Sequence, residues 1–197
     1  MKIRHHAIAV AAMVPTVALA FGDTVYDEAI DGELSGDPNA PTFIDFTGAS
    51  STVVFTTDGE GDDRDIFTFN VASGFELTGI VLDLFDTDNE FNLGFMGFSA
   101  GDVLGADPIN PNPSGLLGYA LPSEADSGLD FFDLMGQASG AQGYSGPLGA
   151  GDYTFWAQET SPSADDWAIS FIITPVPGPG VLAMAAVAGL AGRRRRN

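Results

Sequence analysis

Between Phe21 and Thr174 the chain carries all 27 of its acidic residues and a single basic one, Arg64, a formal charge of −26. The whole-chain value of −20 conceals this, because Lys2, Arg4 and Arg193 to Arg196 sit at the two ends. Self-repulsion of this size opposes compaction, so the segment must fold in salty surroundings or recruit cations. Nucleic acid is excluded as a partner, since phosphate binding is driven by Lys and Arg that the segment lacks. It also contains no Cys, no Lys and no His, both histidines lying at positions 5 and 6. Disulfides, Ser-His-Asp and Cys-His triads, Schiff-base lysines and histidine metal sites are all removed at once. What remains for chemistry is carboxylates, hydroxyls and hard metal ions.

The ends read as sorting signals. Lys2, Arg4, His5 and His6 precede an apolar stretch from Ala7 to Leu19 and the small-x-small triplet Ala18-Leu19-Ala20. That order predicts a secretory signal peptide over residues 1–20, cut by signal peptidase after Ala20. At the other end, residues 175–197 run Pro175-Val176-Pro177-Gly178-Pro179-Gly180, then a twelve-residue apolar run from Val181 to Gly192, then Arg193, Arg194, Arg195 and Arg196. The prolines end the preceding strand and hold an extended segment. The four guanidinium groups resist translocation and stay on the cytoplasmic face. The run is shorter than the roughly twenty residues that span a hydrocarbon core, so crossing requires snorkelling arginines and local thinning.

This order of Pro-rich motif, apolar helix and basic tail resembles the PEP-CTERM sorting signal of Gram-negative bacteria, with Val176, Pro177, Gly178 and Pro179 as the motif and Gly178 where that family has Glu. The resemblance implies recognition by exosortase, an integral-membrane cysteine protease, transient anchoring in the membrane, and delivery to the cell surface or beyond.

The middle, residues 21–174, is one acidic domain. Runs alternating with period two, or continuously apolar and bounded by Gly, Asp, Asn or Pro, predict strands. They are Thr42 to Phe46, Thr52 to Thr57, Asp65 to Val71, Leu77 to Phe85, Asn92 to Phe98, Leu116 to Leu121, Tyr153 to Glu159 and Trp167 to Thr174. Phe67, Phe69 and Val71 share one face, as do Trp167, Ile169, Phe171 and Ile173. A short helix is expected within Leu129 to Met135 and a loop over Asp102 to Gly115. The predicted class is all-β, an antiparallel two-sheet, jelly-roll-like sandwich flanked by an N-terminal signal helix and a C-terminal apolar helix.

Gly61 to Phe69, followed downstream by Leu148 to Trp156, resembles the bacterial pre-peptidase C-terminal sandwich. The resemblance implies that the Tyr153-Thr154 turn opens a late hairpin whose second strand is Asp166 to Ile173.

Two acidic loops are candidate metal sites. Asp58, Glu60, Asp62, Asp63 and Asp65 put carboxylates in a glycine-flexed loop, and Asp86, Asp88 and Glu90 have alternate spacing without a glycine. Such loops can wrap six to eight oxygens around calcium at about 2.3–2.6 Å. A solvated acidic loop is the competing reading, with Arg64 pairing with Asp62, Asp65 or a sheet neighbour. Asp126-Ser127-Gly128 spells the aspartic-protease triplet, but the polar Ser123-Glu124-Ala125 precedes it where those enzymes have an apolar strand. Glycoside hydrolysis needs two acids about 5–10 Å apart and an aromatic cleft. Trp156 and Trp167, the chain's two tryptophans, belong in core strands. The expectation is a non-catalytic envelope or matrix protein interacting with calcium or surface polysaccharide. The alternatives are a calcium-dependent carbohydrate-binding or adhesion module and a carboxylate hydrolase.

Overall fold

The computed structural model describes residues 22–59, 63–89, 91–176 and 178. The expected signal peptide with Ala18 and Ala20, the loop residues Glu60 and Asp62, Glu90, Pro177, Pro179, the apolar run and Arg193 to Arg196 lie outside the described residues. Among the described residues no helix is long and apolar enough to cross a membrane.

The chain is all-β, with two five-stranded sheets and a few short helical turns. In chain order the elements are β1 (Asp23–Asp27), α1 (Glu28–Asp31), β2 (Thr42–Phe43), β3 (Ser50–Thr57), β4 (Asp65–Val71), β5 (Phe75–Thr87), β6 (Gly94–Ala100), β7 (Gly118–Ala120), β8 (Leu129–Asp130), α2 (Phe132–Met135), β9 (Gly151–Glu159) and β10 (Asp165–Pro175). The first sheet has the order β1-β3-β10-β5-β8 and the second β2-β4-β9-β6-β7. All eight strands expected from alternation form; β1 and β8 are additional. The expected helix shortens to Phe132–Met135 because Leu129 and Asp130 pair with Leu82 and Val81.

Two expectations fail. The sheets are mixed, because β1 runs parallel to β3 and β2 parallel to β4. From β1 to β6 the chain changes sheet at every step, so β1 and β3 both climb, with β2 descending between them on the other sheet. Same-sheet neighbours separated by one crossing must then point the same way. The late hairpin also does not form, since β9 pairs with β4 and β6 while β10 pairs with β3 and β5. Each of these strands is central in its own sheet and needs two partners, so residues 160–164 arch between the sheets instead of turning back within one.

The inward rows meet in a core dominated by aromatic rings. Phe171 of β10 lies 5.8 Å from Phe67, 4.9 Å from Phe69 and 5.3 Å from Phe155, centroid to centroid, joining the two sheets directly. Trp167 stacks on Phe55 at 5.7 Å and 9°. The residues grouped by period two, Phe67, Phe69 and Val71 with Trp167, Ile169, Phe171 and Ile173, are all in this cluster. A second, smaller core lies on the outer face of the second sheet, where Leu104, Ala106 and Leu116 cover Ile66 and Trp156. The expected Asp102–Gly115 loop is thus a flap with an apolar underside. Its limbs touch backbone to backbone at Gly105 and Gly115, where a Cβ on Gly115 would stand 2.0 Å from the Gly105 oxygen.

Candidate functional site

Strand direction divides the sandwich into two poles. β3, β5 and β9 end, and β4, β6 and β10 begin, at one pole, where Thr57 opposes Asp165 and Gly94 opposes Glu159. At this pole period two continues the inward rows past the aromatic core into polar residues. Asp65 has the parity of Phe67 and Phe69, Glu159 that of Phe155 and Ala157, Asp165 that of Trp167 and Ile169, and Thr57 that of Val53 and Phe55. All four are buried, with Asp65 at 0 % exposure and Asp165 at 1 %.

Asp165 is well supplied with donors. Asn92 Nδ2 donates to its two carboxylate oxygens at 3.1 and 2.8 Å, and Ser163 Oγ donates at 2.8 Å. Ser161 Oγ in turn donates to Asn92 Oδ1 at 2.6 Å, which fixes the amide.

Asp65 has the opposite surroundings. Both of its oxygens are fully buried and neither has a hydrogen-bond partner. Its neighbours are other carboxylates: one oxygen each of Glu28, Glu33 and Asp65 lie within 4.8 Å of one another. Burial first, and then the charges of Glu28, Asp63, Glu33 and Glu159, push the Asp65 carboxyl up to about 9. Glu33 and Asp63 are also raised, each chiefly by desolvation.

The elements that deliver these groups come from distant parts of the chain. Asp27 caps α1 by accepting from Ala29 N–H at 3.1 Å, which starts the helix at Glu28. Gly32 follows at φ +102°, a left-handed conformation that glycine adopts without strain, and turns Glu33 back toward the sheet. Glu28 is anchored on both oxygens: Leu34 N–H donates to Oε1 at 2.8 Å and Thr56 N–H to Oε2 at 2.8 Å. A half-open cleft of about 330 Å³, lined by Asp27, Glu28, Ala29, Glu33 and Val54 to Thr56, opens beside the cluster.

Of the described residues of the first acidic loop, Asp58, Asp63 and Asp65, only Asp65 joins this cluster of three, with Asp63 close enough to raise its pKa. Asp58 is exposed, and its N–H donates to Asp63 Oδ2 at 2.8 Å, a bond that holds the loop closed on itself. The structure brings Asp65 together with Glu28 and Glu33, a discontinuous cluster that the spacing of the loop did not reveal. The signal for them was the Asp27-Glu28-Ala29-Ile30-Asp31-Gly32-Glu33 stretch, an N-cap followed by acids and a glycine stop. Of the second loop, Asp86 and Asp88 are exposed, and Asp86 faces Asp166 across the sheet. Arg64 does not pair with Asp65, because alternation sends it to the outer face of the second sheet. There it adds to the N–H of Ile109 in holding Asp107 below its ordinary range. Asp126 caps a helical turn by accepting from Ser123 N–H at 2.8 Å and Ser123 Oγ at 2.7 Å, a structural use of the protease-like triplet.

Gathered carboxylates facing a buried, donorless one can bind a hard cation or share a proton. Comparison with protein-family models, with curated proteins and with solved structures finds no match for this chain, so its chemistry is read from the side chains themselves.

Proposed function

We propose that the chain is a non-catalytic envelope or matrix protein, exported by the secretory route and sorted at its C-terminal segment by an exosortase-type membrane protease. The observation that carries this reading is polarity. β10 runs from Asp165 at the acidic pole to Pro175 at the other, pairing there with Phe75, and β1 begins at that same far pole, with Asp23 beside Ser51. A helix and arginine tail following Val176 would hold the sandwich to a membrane by the pole that lacks the acidic cluster. The carboxylates would then stand off by the length of an eight-residue strand, about 25 Å, away from anionic lipid.

Support for a non-catalytic role comes from the aromatics. Trp156 and Trp167 are 1 % and 0 % exposed, so neither lines an open sugar-binding cleft. With this goes a jelly-roll-like reading of the sandwich, supported by successive strands alternating between sheets. The test is to replace Arg193 to Arg196 with alanine and fractionate cells that carry or lack an exosortase. The reading requires processed surface protein only with both the arginines and the protease; correct processing without either one overturns it.

A further inference from the structure

We propose that Glu28, Glu33 and Asp65 form a calcium site that fastens the β1–α1 segment to the start of β4. Asp65 points to a ligand independently of the acidic cluster around it. Its side chain is wholly buried, its two oxygens have no hydrogen-bond partner, and one of them faces Glu28 and Glu33 oxygens within 4.8 Å. A proton shared with a neighbouring carboxylate resolves this arrangement only in part, since the second Asp65 oxygen would still have no donor. A carboxylate there has no donor either. One cation at the centre of the three groups contacts all of them together.

Chemistry selects the ion. The three oxygens lie within 4.8 Å of one another, close enough for one cation to touch all three, and every ligand offered is a hard carboxylate oxygen of the kind calcium takes. Magnesium needs near-ideal octahedral geometry at about 2.0–2.1 Å, and zinc prefers nitrogen and sulfur ligands that the domain lacks. Three carboxylates, some of them bidentate, with water from the neighbouring cleft, reach the six to eight oxygens calcium takes. Glu28 Oε1 accepts one backbone N–H and keeps a second lone pair for the ion, while Oε2 accepts from both the N–H and the Oγ1 of Thr56. Asp165 provides the contrast within the same pole, because there the buried carboxylate was given Asn92 and Ser163 and needs no cation.

The consequence is mechanical. Asp65 belongs to the second sheet, while Glu28 holds Thr56 of the first sheet and Leu34 of the connection. The ion would close the acidic pole across both sheets and lock residues 26–34 down.

The full chain in detergent, stripped with chelator, would be melted while tryptophan fluorescence is followed, with calcium chloride, magnesium chloride, or sodium chloride at matched ionic strength. Calcium at a hundredfold excess over its Kd raises the midpoint by about 5–10 °C, and the other salts do not. Asp65→Asn and Glu33→Gln each weaken calcium binding about tenfold or more, while an Asp86→Asn/Asp88→Asn double variant keeps it. Hydrogen exchange of the Tyr26 to Leu34 amides slows on adding calcium. Since Glu33 is exposed, Glu33→Gln decides the question even where Asp65→Asn does not fold. The proposal is overturned by a wild-type midpoint indifferent to calcium, by equal stabilisation from matched sodium chloride, by full affinity in Glu33→Gln, or by a loss in the Asp86/Asp88 variant equal to that in Glu33→Gln. Binding without slower exchange over residues 26–34 would remove the fastening role.

Discussion

Asp65 and Asp165 are the first residues of β4 and β10, each two positions before an inward aromatic, Phe67 and Trp167, and both are buried at the same pole. Only Asp165 is met by neutral donors. The two sheets thus end their cores in the same way by position and in opposite ways by chemistry. One buried carboxyl is met by hydrogen-bond donors, and the other is surrounded by further carboxyls.

The first prediction concerns the carboxyl met by donors. Asn92→Ala removes both amide bonds to Asp165 and leaves Ser161 Oγ without its acceptor. A buried acceptor left short of donors costs about 1–3 kcal/mol, and more when it is charged. Urea unfolding of the variant should show a loss of at least this size with an unchanged m-value; an unaltered midpoint would mean that water replaces the amide without penalty.

The second is a pH dependence of the chelated protein. The Asp65 carboxyl is raised to about 9 in the fold from 3.8, so between these values the folded chain holds a proton that the unfolded chain has lost. Stability falls as pH rises wherever the native state binds more protons, so this contribution is complete below pH 3.8 and gone above about 9. Glu33 and Asp63, also raised, act with the same sign. The urea midpoint should decline from pH 5 to pH 9, and Asp65→Asn, which cannot titrate, should flatten that decline. Equal slopes in wild type and variant would contradict the assignment.

Much of this frame was legible in the sequence. Alternation gave β4 its bounds, Asp65 to Val71, and put Phe67, Phe69 and Val71 on one face, because period two is a local property of the backbone. The partners of Asp65 were not legible. Glu28 and Glu33 reach it through a short helix and a crossover, and the proximity of residues over 30 positions apart depends on which sheet each strand joins. The same limit explains the failed β9–β10 hairpin: a run buried on both faces signals a central strand but does not name its neighbours. β1 escaped notice because Asp23 to Asp27 is short, partly exposed and polar.

The third prediction tests the flap. Leu116 is 2 % exposed and packs with Leu104 and Ala106 over Ile66 and Trp156. Leu116→Ala should cost about 2–5 kcal/mol, as buried leucine truncations do. Its first sign should be local: faster proteolytic nicking within residues 102–115 and a red shift of Trp156 emission. A wild-type cleavage rate would show that the flap is held by its backbone contacts alone.

The last concerns a glycine chosen by space. A Cβ at Gly94 would stand 2.1 Å from Cη2 and 2.5 Å from Cζ2 of Trp167, with Phe85 Cε2 at 3.0 Å. The indole cannot retreat, since it is 0 % exposed, stacked on Phe55, and in contact with Phe85 at 4.4 Å between centroids. Its Nε1 also donates to Thr57 Oγ1 at 3.4 Å, at the floor of the acidic pole. Gly94→Ala therefore either displaces the tryptophan or splays β6 from its pairing with β9, at a cost of about 1–3 kcal/mol or more. Gly149→Ala is the control, because a Cβ there meets nothing within 4 Å and its effect should stay within about 0.5 kcal/mol. Denaturation of the two variants side by side should separate them clearly. If Gly94→Ala proved as mild as Gly149→Ala, the tight seating of Trp167 beneath the acidic pole would be refuted.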